Sequence, residues 1–456
     1  MPWSRLTLPL PKLTYAHALA TYGSDKPDRR PGLPICNATT FFSGPFFNSV
    51  HKARVSATPQ YLPPCHPSLD DFLPGIFSVR FIRVPGLGAA LSRKEASALS
   101  TYFSGILGKG NLSELTGGCL RLRSSGALEG LDMIGAELCK SLVGEGWGGA
   151  EEGGSPLGWK NGDFVLVVWG VNPLLLLSAL GSFRLLLAAV KYRKCPPVTL
   201  GRYATEDWIT HSPQAMPTTA KLEPPPGFSD IHDANSSLAR YIPKELEGIF
   251  PPPLVKKSTP ASTMTPSAPS FDIFWVTHFP MFELNKEAGG VSAAHHPFTA
   301  PSPGLEENLS DILKEGYAAQ GSEKNKIQER ALKITAAAYD LVANGCELGG
   351  GSLRIHCPKL QKGVLEVVLG AKEEGLEPFA GLLSALEAGA PPHGGFALGL
   401  DRLCLLLAGP SSASSIRDVM AFPKSATGSD PLFGAPSTVH PSQLHELGLS
   451  PLHTIK

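Results

Sequence analysis

The stretch Gly389-Ala-Pro-Pro-His-Gly-Gly-Phe-Ala-Leu-Gly-Leu-Asp-Arg-Leu-Cys-Leu-Leu-Leu407, followed after a short break by Ser415-Ile-Arg-Asp-Val-Met-Ala-Phe-Pro-Lys424, decides how the rest of the chain is read. Its first half has the pattern of a strand running into a helix. Gly395, Ala397 and Gly399 alternate with Phe396, Leu398 and Leu400, so one strand face is large and apolar and the other almost bare backbone. A bare face lets a flat group approach the sheet closely. Asp401 stands where a helix N-cap is expected, Arg402 falls in the first turn, and Leu403, Leu406 and Leu407 share a buried side. An arginine at the rim of a glycine floor suits a nucleotide, with base or ribose on the floor and phosphate at the guanidinium. Spacing alone suits equally a tightly packed strand–helix unit whose glycines only admit a neighbour.

Residue order separates the two. Gly-x-Ala-x-Gly-x-Asp-Arg-Leu closely resembles motif 3 of class II aminoacyl-tRNA synthetases. The lead-in Gly-Ala-Pro-Pro-His-Gly-Gly and the follow-on Ile-Arg-Asp-Val-Met-Ala-Phe-Pro-Lys look specifically like bacterial-type aspartyl-tRNA synthetases. The fold this implies is α+β: an antiparallel class II sheet flanked by helices, with a smaller α+β domain inserted.

Composition bounds the rest. The 456 residues are enough for two or three domains with real cores. Lys+Arg and Asp+Glu both number 40, so there is no global basic field, and any RNA contact must be local. Charged residues make up 18%, beside 48 Gly and 43 Pro, which points to long insertions among the folded parts. Eight cysteines without a Cys-x-x-Cys pair read as free thiols in a reducing compartment. The N-terminal Met-Pro-Trp-Ser-Arg-Leu lacks both the apolar core of a secretory leader and the pattern of an organelle presequence. The apolar run 171–190 contains Pro173, Gly181 and Arg184 and follows a strand-like 164–169, so it reads as a buried helix, not a membrane span.

Four segments are expected in order. In 1–75, Thr14 caps a helix carrying Tyr15, Ala18, Leu19 and Tyr22, and Gly23 ends it; residues 33–75 read as loop. The run Pro11-Lys-Leu-Thr-Tyr-Ala-His-Ala-Leu-Ala-Thr-Tyr-Gly-Ser-Asp-Lys-Pro-Asp-Arg29 resembles the family's segment after motif 2, so this part is expected to be a remnant of the catalytic domain. Residues 76–195 form an α+β unit with strands at 77–84 and 164–169 and a capping box at Ser92 and Glu95. It resembles the domain that bacterial-type aspartyl-tRNA synthetases carry within the catalytic fold. Residues 196–270 are a Pro/Ser-rich spacer with no core of its own. Residues 271–456 hold the C-terminal part of the catalytic domain, opening on the strand Phe274-Trp-Val276, with a polar, partly helical insertion at 304–330.

Three further positions carry the chemistry. Within 338–356 a helix is expected to end at Asn344-Gly345, a three-glycine turn to follow, and Ser352–His356 to form a strand, with Glu347 and Arg354 flanking the turn. By residue type they suit a surface ion pair, a carboxylate for Mg²⁺ on ATP phosphates, or a guanidinium for a carboxylate ligand. Adjacent His295 and His296 point to opposite sides of a strand, which disfavours a metal pair and favours one histidine on a substrate-covering loop. His278 stands where the family usually has an acidic residue.

The resemblance implies roles for these residues. Glu347 would contact ATP and its Mg²⁺, Arg354 would recognise the aspartate side chain, and His295 would reach aspartate. Gly399, Leu400, Asp401 and Arg402 would seat the nucleotide. The activity implied is aspartate–tRNA ligation: ATP-dependent formation of aspartyl-adenylate, then transfer to tRNA(Asp), by an enzyme that is a homodimer in the family and not membrane-bound. Motifs 1 and 2 are not found, so the chain is expected to span the C-terminal half of such a protein and not to complete aminoacylation alone. The alternative is a non-catalytic, synthetase-derived protein that binds ATP or RNA. A bacterial-type signature with Pro/Ser/Gly-rich insertions points to a mitochondrial or plastid enzyme, with a cytoplasmic one as the alternative.

Overall fold

The computed structural model describes residues 8–39, 78–123, 128–132, 157, 159–170, 172–194, 241–250, 271–285, 290–319, 323–409, 413, 415–425 and 427–449. Two compact units divide at residue 398. Most of spacer 196–270, much of loop 33–75 and the glycine-rich part of 76–195 lie outside the described residues.

Unit 1 contains two five-stranded sheets. The first has the order β1 (Lys12–Thr14), β7 (Ile273–Pro280), β10 (Thr335–Ala343), β11 (Cys346–Leu353), β12 (Gly394–Leu398), antiparallel except for the parallel β1–β7 pair. Its core gathers Phe274, Val276, Ala336, Ala338 and Val342 from one sheet face. Leu309, Ile312 and Leu313 of α4 (Glu306–Ala318) and Ile327 and Ala331 of α5 (Glu323–Ala331) belong to the same core. The helices expected in 304–330 are therefore present, each with a single apolar stripe in an otherwise polar sequence.

The segment read as a helix ending at Asn344 is instead strand β10. Alanines favour a helix in isolation, but here Ala336, Ala338, Asp340 and Val342 alternate buried with half-exposed Thr335, Ala337, Tyr339 and Leu341. That period of two belongs to a strand. Asn344 (φ 51°) and Gly345 (φ 81°) are both left-handed, the conformation an Asn-Gly hairpin turn requires. The three glycines 349–351 accordingly lie inside β11 and do not form a turn. A Cβ on Gly351 would overlap the carbonyl oxygen of Gly395, so the approach of β12 needs glycine there.

The second sheet has the order β2 (Ile35–Asn37), β3 (Ser78–Val84), β6 (Phe164–Gly170), β4 (Leu115–Leu122), β5 (Leu128–Gly130), all antiparallel. Ile35–Asn37 is thus an edge strand where a loop was expected. The capping box forms as read: Ser92 accepts from the Glu95 amide and Glu95 from the Ser92 amide, opening α2 (Arg93–Ile106). α3 (Pro173–Lys194) has the length and composition of a membrane span. Yet Leu176, Leu180, Leu187 and Val190 are buried in the core beneath this sheet. Within 196–270, Ile242, Leu246 and Phe250 pack into the same core. The other sheet face is packed by Trp159, Phe81 and Trp169. Cys36, Cys119, Cys346, Cys357 and Cys404 are free thiols.

Between the sheets runs α1 (Tyr15–Tyr22), capped by Thr14 and closed by left-handed Gly23, as its sequence indicates. Ala16 contributes to the core of the second sheet and Ala18 to that of the first.

Unit 2 begins with α6 (Leu400–Ala408). Its N-cap is Gly399, and Asp401 sits in the first turn without a capping hydrogen bond, which corrects the expected cap. A carboxylate in the first turn still favours the helix through the exposed N–H groups. Leu403 and Leu406 are half-buried and Leu407 is exposed, so the buried side expected for them is not closed within this unit.

Candidate active site

The β10–β11 hairpin collects the charged groups. From Ala338↔Ser352 to Leu341↔Gly349 the strands pair regularly, then the register slips and Val342 faces Glu347, leaving Leu348 as an extra residue. In a regular strand Glu347 and Gly350 would face opposite sides. The bulge turns Glu347 onto the face of Gly350 and its partner Asp340. Gly350 is the space between the two carboxylates: a Cβ there would stand 2.6 Å from Asp340 Oδ1 and 3.3 Å from Glu347 Oε1.

Lys26 reaches this pair from the turn after α1. Its Nζ lies 2.6 Å from Asp25 Oδ2, 3.5 Å from Asp340 Oδ2 and 3.8 Å from Glu347 Oε2. Burial alone would lower the Lys26 pKa, but the hydrogen bond to Asp25 and the charges of Asp25, Asp340 and Glu347 outweigh it and raise it. Asp340 is pushed the other way. Burial and then the Glu347 charge raise its pKa against the pull of Lys26 and His295. Tyr15, half-buried, has its pKa raised to about 12 by desolvation and then by the charges of Asp25 and Glu283, and stays a neutral phenol.

Arg354 follows β11 by one residue and, by alternation, continues the face of Gly350 and Ser352. Its backbone is held from both sides. Its amide donates to the His393 carbonyl at 2.9 Å, and it bridges to Thr299. Arg354 Nη1 lies against the His296 ring, in contact with Nε2 and 2.9 Å from Nδ1, and Nδ1 accepts from the Phe298 amide at 3.2 Å. Burial, then Arg354, then His295 lower the His296 pKa, so at neutral pH the ring is an uncharged acceptor that fixes the guanidinium. Pro297, next in the chain, accepts from Nε2 of Gln361, a fully buried side chain. His295 is exposed, with its ring edge-on to Phe279 at 5.1 Å, and its charge is felt at Asp340. The histidine on Arg354 is thus His296, and His295 stands on the carboxylate side.

The glycine floor is also on this face: Ala397 pairs with Gly350 and Gly395 with Ser352. Gly395 has open space above it. The opposite face carries the aromatic residues Trp275, Tyr339 and Phe396, in edge-to-face contact at 5.6–6.0 Å. His278 stands exposed at a β7 bulge with φ 58°. Gly399, Leu400, Asp401 and Arg402 belong to unit 2, where Gly399 caps α6 and the other three are exposed in its first turn.

Of the residues singled out from the sequence, the structure brings Glu347, Arg354 and His295 together with Gly395 and Ala397 and leaves Gly399, Leu400, Asp401 and Arg402 in unit 2; Asp340, Lys26 and the His296 contact to Arg354 were not read from the sequence. Asp340 was hidden by the helix reading of β10. Its signal was the Asn344-Gly345 hairpin dipeptide, which makes the segment a strand and places Asp340 across from the glycine run; the bulge at Leu348 sets the partner as Gly350. Lys26 lies more than 300 residues from Asp340 and Glu347, and pairing between distant parts of the chain, the parallel β1–β7 pair and the Arg29–Asp272 ion pair among them, brings it there.

A divalent cation is tested by this geometry. Two carboxylates meet over a Cβ-sized space, and among the described residues no third histidine, cysteine or carboxylate joins them. That donor set fits Mg²⁺, which takes one or two carboxylates and fills its remaining positions from water and phosphate oxygens.

The chain matches the family model described as tRNA synthetases class II (D, K and N) over residues 3–426. It is 32% identical to an aspartate–tRNA(Asp/Asn) ligase of Acidothermus cellulolyticus over 98% of this chain and 54% of that protein. An aspartate–tRNA(Asp/Asn) ligase of Thermosynechococcus vestitus is 47% identical over 40% of this chain and 26% of that one. Among solved structures, an aspartyl-tRNA synthetase from Entamoeba histolytica is 19% identical over 35% of this chain and 24% of that one, with a TM-score of 0.22. The chain spans about half the length of the curated relatives it matches end to end. With a family match over nearly its whole length and the motif 3 floor on the same sheet face as the Asp340–Glu347 pair, the chain belongs to the class II tRNA synthetases of the D, K and N type.

Proposed function

We propose that this chain carries the aspartate- and ATP-binding part of an aspartate–tRNA ligase. One observation carries the reading: two cations, Lys26 and Arg354, and two carboxylates, Asp340 and Glu347, converge on one face of a single hairpin. A dicarboxylic amino acid needs a cation for its side chain, and a nucleoside triphosphate needs its phosphate charge neutralised.

Arg354 presents a planar guanidinium that takes the aspartate side-chain carboxylate in bidentate fashion. Neutral His296 keeps it aimed without competing for the anion. Asparagine is rejected because its amide leaves the guanidinium poorly compensated. His295 covers the substrate from its loop, and Lys26 supplies the second cation. Asp340 and Glu347 hold Mg²⁺, which neutralises phosphate charge when bound. For Gly399, Leu400, Asp401 and Arg402 of unit 2, the family resemblance alone supports a role in seating the nucleotide. The aspartate α-carboxylate attacks the α-phosphorus, forming aspartyl-adenylate and releasing pyrophosphate. The tRNA 3′-terminal hydroxyl then takes the aspartyl group and AMP leaves. In both steps this chain's residues position and neutralise.

The same reading makes tRNA(Asp) the acceptor. The names of the relatives make tRNA(Asn) the second acceptor to assay. Residues 76–195 are read as an inserted unit built on the second sheet, the assembly as a homodimer and the compartment as an organelle; the first two rest on family resemblance and the third on the bacterial-type signature.

The test is Arg354→Leu in the full chain, followed by titration calorimetry with aspartate and with ATP. Aspartate affinity should fall at least about 100-fold, the cost of losing a charge-assisted bidentate pair, while ATP affinity stays within about threefold. Unchanged aspartate binding would remove Arg354 from the site. Binding of asparagine as tightly as aspartate by the unaltered chain would overturn the specificity.

A further inference from the structure

The segment that carries Lys26 is gripped by a helix from the core of the other sheet. Arg184, halfway along α3, is 1% exposed. Its Nη2 donates to the Asp28 carbonyl at 2.6 Å and its Nη1 to the Gly32 carbonyl at 2.8 Å. The guanidinium also faces the Tyr22 ring, 5.2 Å from its centroid. About one turn earlier on α3, Gly181 meets Gly23 backbone to backbone. A Cβ on Gly181 would stand 2.6 Å from the Gly23 carbonyl oxygen, and one on Gly23 would stand 2.1 Å from that of Leu177. So α3 holds the chain before Lys26, at Gly23, and after it, at Asp28 and Gly32.

The far side of the segment is tied to the catalytic sheet. Arg29 clamps Asp272 through Nε and Nη2 at 2.9 and 2.5 Å. A Cβ on Gly345, in the turn that leads to Glu347, would lie 3.1 Å from Asp28 Cβ. A line of contacts therefore runs from Arg184 through Asp28 to the hairpin bearing Asp340 and Glu347. A buried guanidinium is costly, and an apolar side chain of similar volume would fill the same space at less cost. What arginine adds is two directed donors on two carbonyls of the segment.

We infer that Arg184 is a positioning residue: with Gly181 it locks the Lys26 segment from α3, so the second sheet and its helix set where the Lys26 ammonium stands over Asp340 and Glu347. The structural part stands on its own. Its consequence for aspartate rests on the proposed function.

Two measurements on the full chain test it. The first uses no ligand: amide hydrogen exchange over residues 24–32, where the Gly32 amide donates to the Arg29 carbonyl and the Lys26 amide to Ser24 Oγ. Arg184→Met keeps the volume and removes both donors. Exchange over 24–32 should then rise at least about tenfold while β3, β4 and β6 keep their protection. Arg184→Lys, with one directed donor left, should fall between. Where Arg184→Met does not fold, Gly181→Ala, which pushes on the Gly23 carbonyl, should give the same local pattern. The second measurement is a double-mutant cycle on aspartate binding with Lys26→Met. Arg184→Met should weaken aspartate about tenfold in the unaltered background and less than twofold in the Lys26→Met background. Exchange unchanged over 24–32 or raised equally through β3, β4 and β6, or additive effects in the cycle, would overturn the positioning role. Absence of aspartate binding by the unaltered chain would count against the proposed function alone, and amide exchange would still decide the role of Arg184.

Discussion

Gly350→Ala is the most direct probe of the carboxylate pair. The backbone at Gly350 is not left-handed, so alanine fits its conformation, and the loss of glycine's freedom in the unfolded chain favours the variant by about 0.4–1 kcal/mol. The added methyl would stand 2.6 Å from Asp340 Oδ1 and 3.3 Å from Glu347 Oε1. Ordinary contact begins near 3.4 Å, so Oδ1 must retreat by about 0.8 Å while Oε1 hardly moves. Both atoms end rotatable side chains, so the fold absorbs the change and the melting temperature should stay within about 2 °C, roughly 1 kcal/mol or less for a domain of this size. A cation site tolerates about 0.2 Å in its ligand distances, and Mg²⁺ demands near-ideal geometry. A misplacement approaching 1 Å costs up to about 100-fold. We expect Mn²⁺ affinity in the presence of ATP, read by electron paramagnetic resonance, to fall about 10–100-fold. Unaltered Mn²⁺ binding with the melting temperature preserved would show that Asp340 and Glu347 do not share a cation, and the assignment would fall.

Two further expectations concern pH. The Asp340 pKa is raised in the folded chain, so ionised Asp340 costs stability above that raised value, and the cost disappears below the ordinary carboxylate range, where both states are protonated. Asp340→Asn should therefore melt higher than the parent at pH 7.5, with the gap closing toward pH 4; a gap independent of pH would contradict burial of the charge. The His296 pKa is lowered, so its contribution is complete above the ordinary histidine value of about 6.5 and is lost as pH falls through the folded value. Between pH 6.5 and 5 the parent should lose melting temperature more steeply than His296→Gln, since only the parent places a second cation against Arg354; parallel curves would argue against that contact.

Locally encoded features were legible in the sequence. The caps at Thr14 and Gly23 and the capping box at Ser92 and Glu95 involve residues three or four apart, and they form as read. The apolar run of α3 was also readable as buried, because Arg184 within it requires protein partners. β10 was not, because alanine propensity and strand burial disagree there and the sheet decides. Ile35–Asn37 gave little signal, since a three-residue edge strand is defined by its pairing with β3 alone. In the site, Arg354 and Glu347 were found through the motif that carries them. Lys26 and Asp340 were not, because their roles are set by pairing between distant strands.

The extra residue Leu348 in β11 has a consequence for how this hairpin can change length. Deleting it would leave an uninterrupted ladder in which Glu347 stands two residues from Gly350, still opposite Val342 and on the side of Asp340. Keeping Leu348 but pairing it with Val342 would instead place Glu347 opposite Ala343, on the Trp275–Tyr339–Phe396 side and away from Asp340. Hairpin length and bulge are therefore linked: a relative one residue shorter between the Asn344-Gly345 turn and Arg354 can keep its second carboxylate at the position aligned with Glu347 on a regular ladder, and one of equal length keeps it on that side only by keeping the bulge.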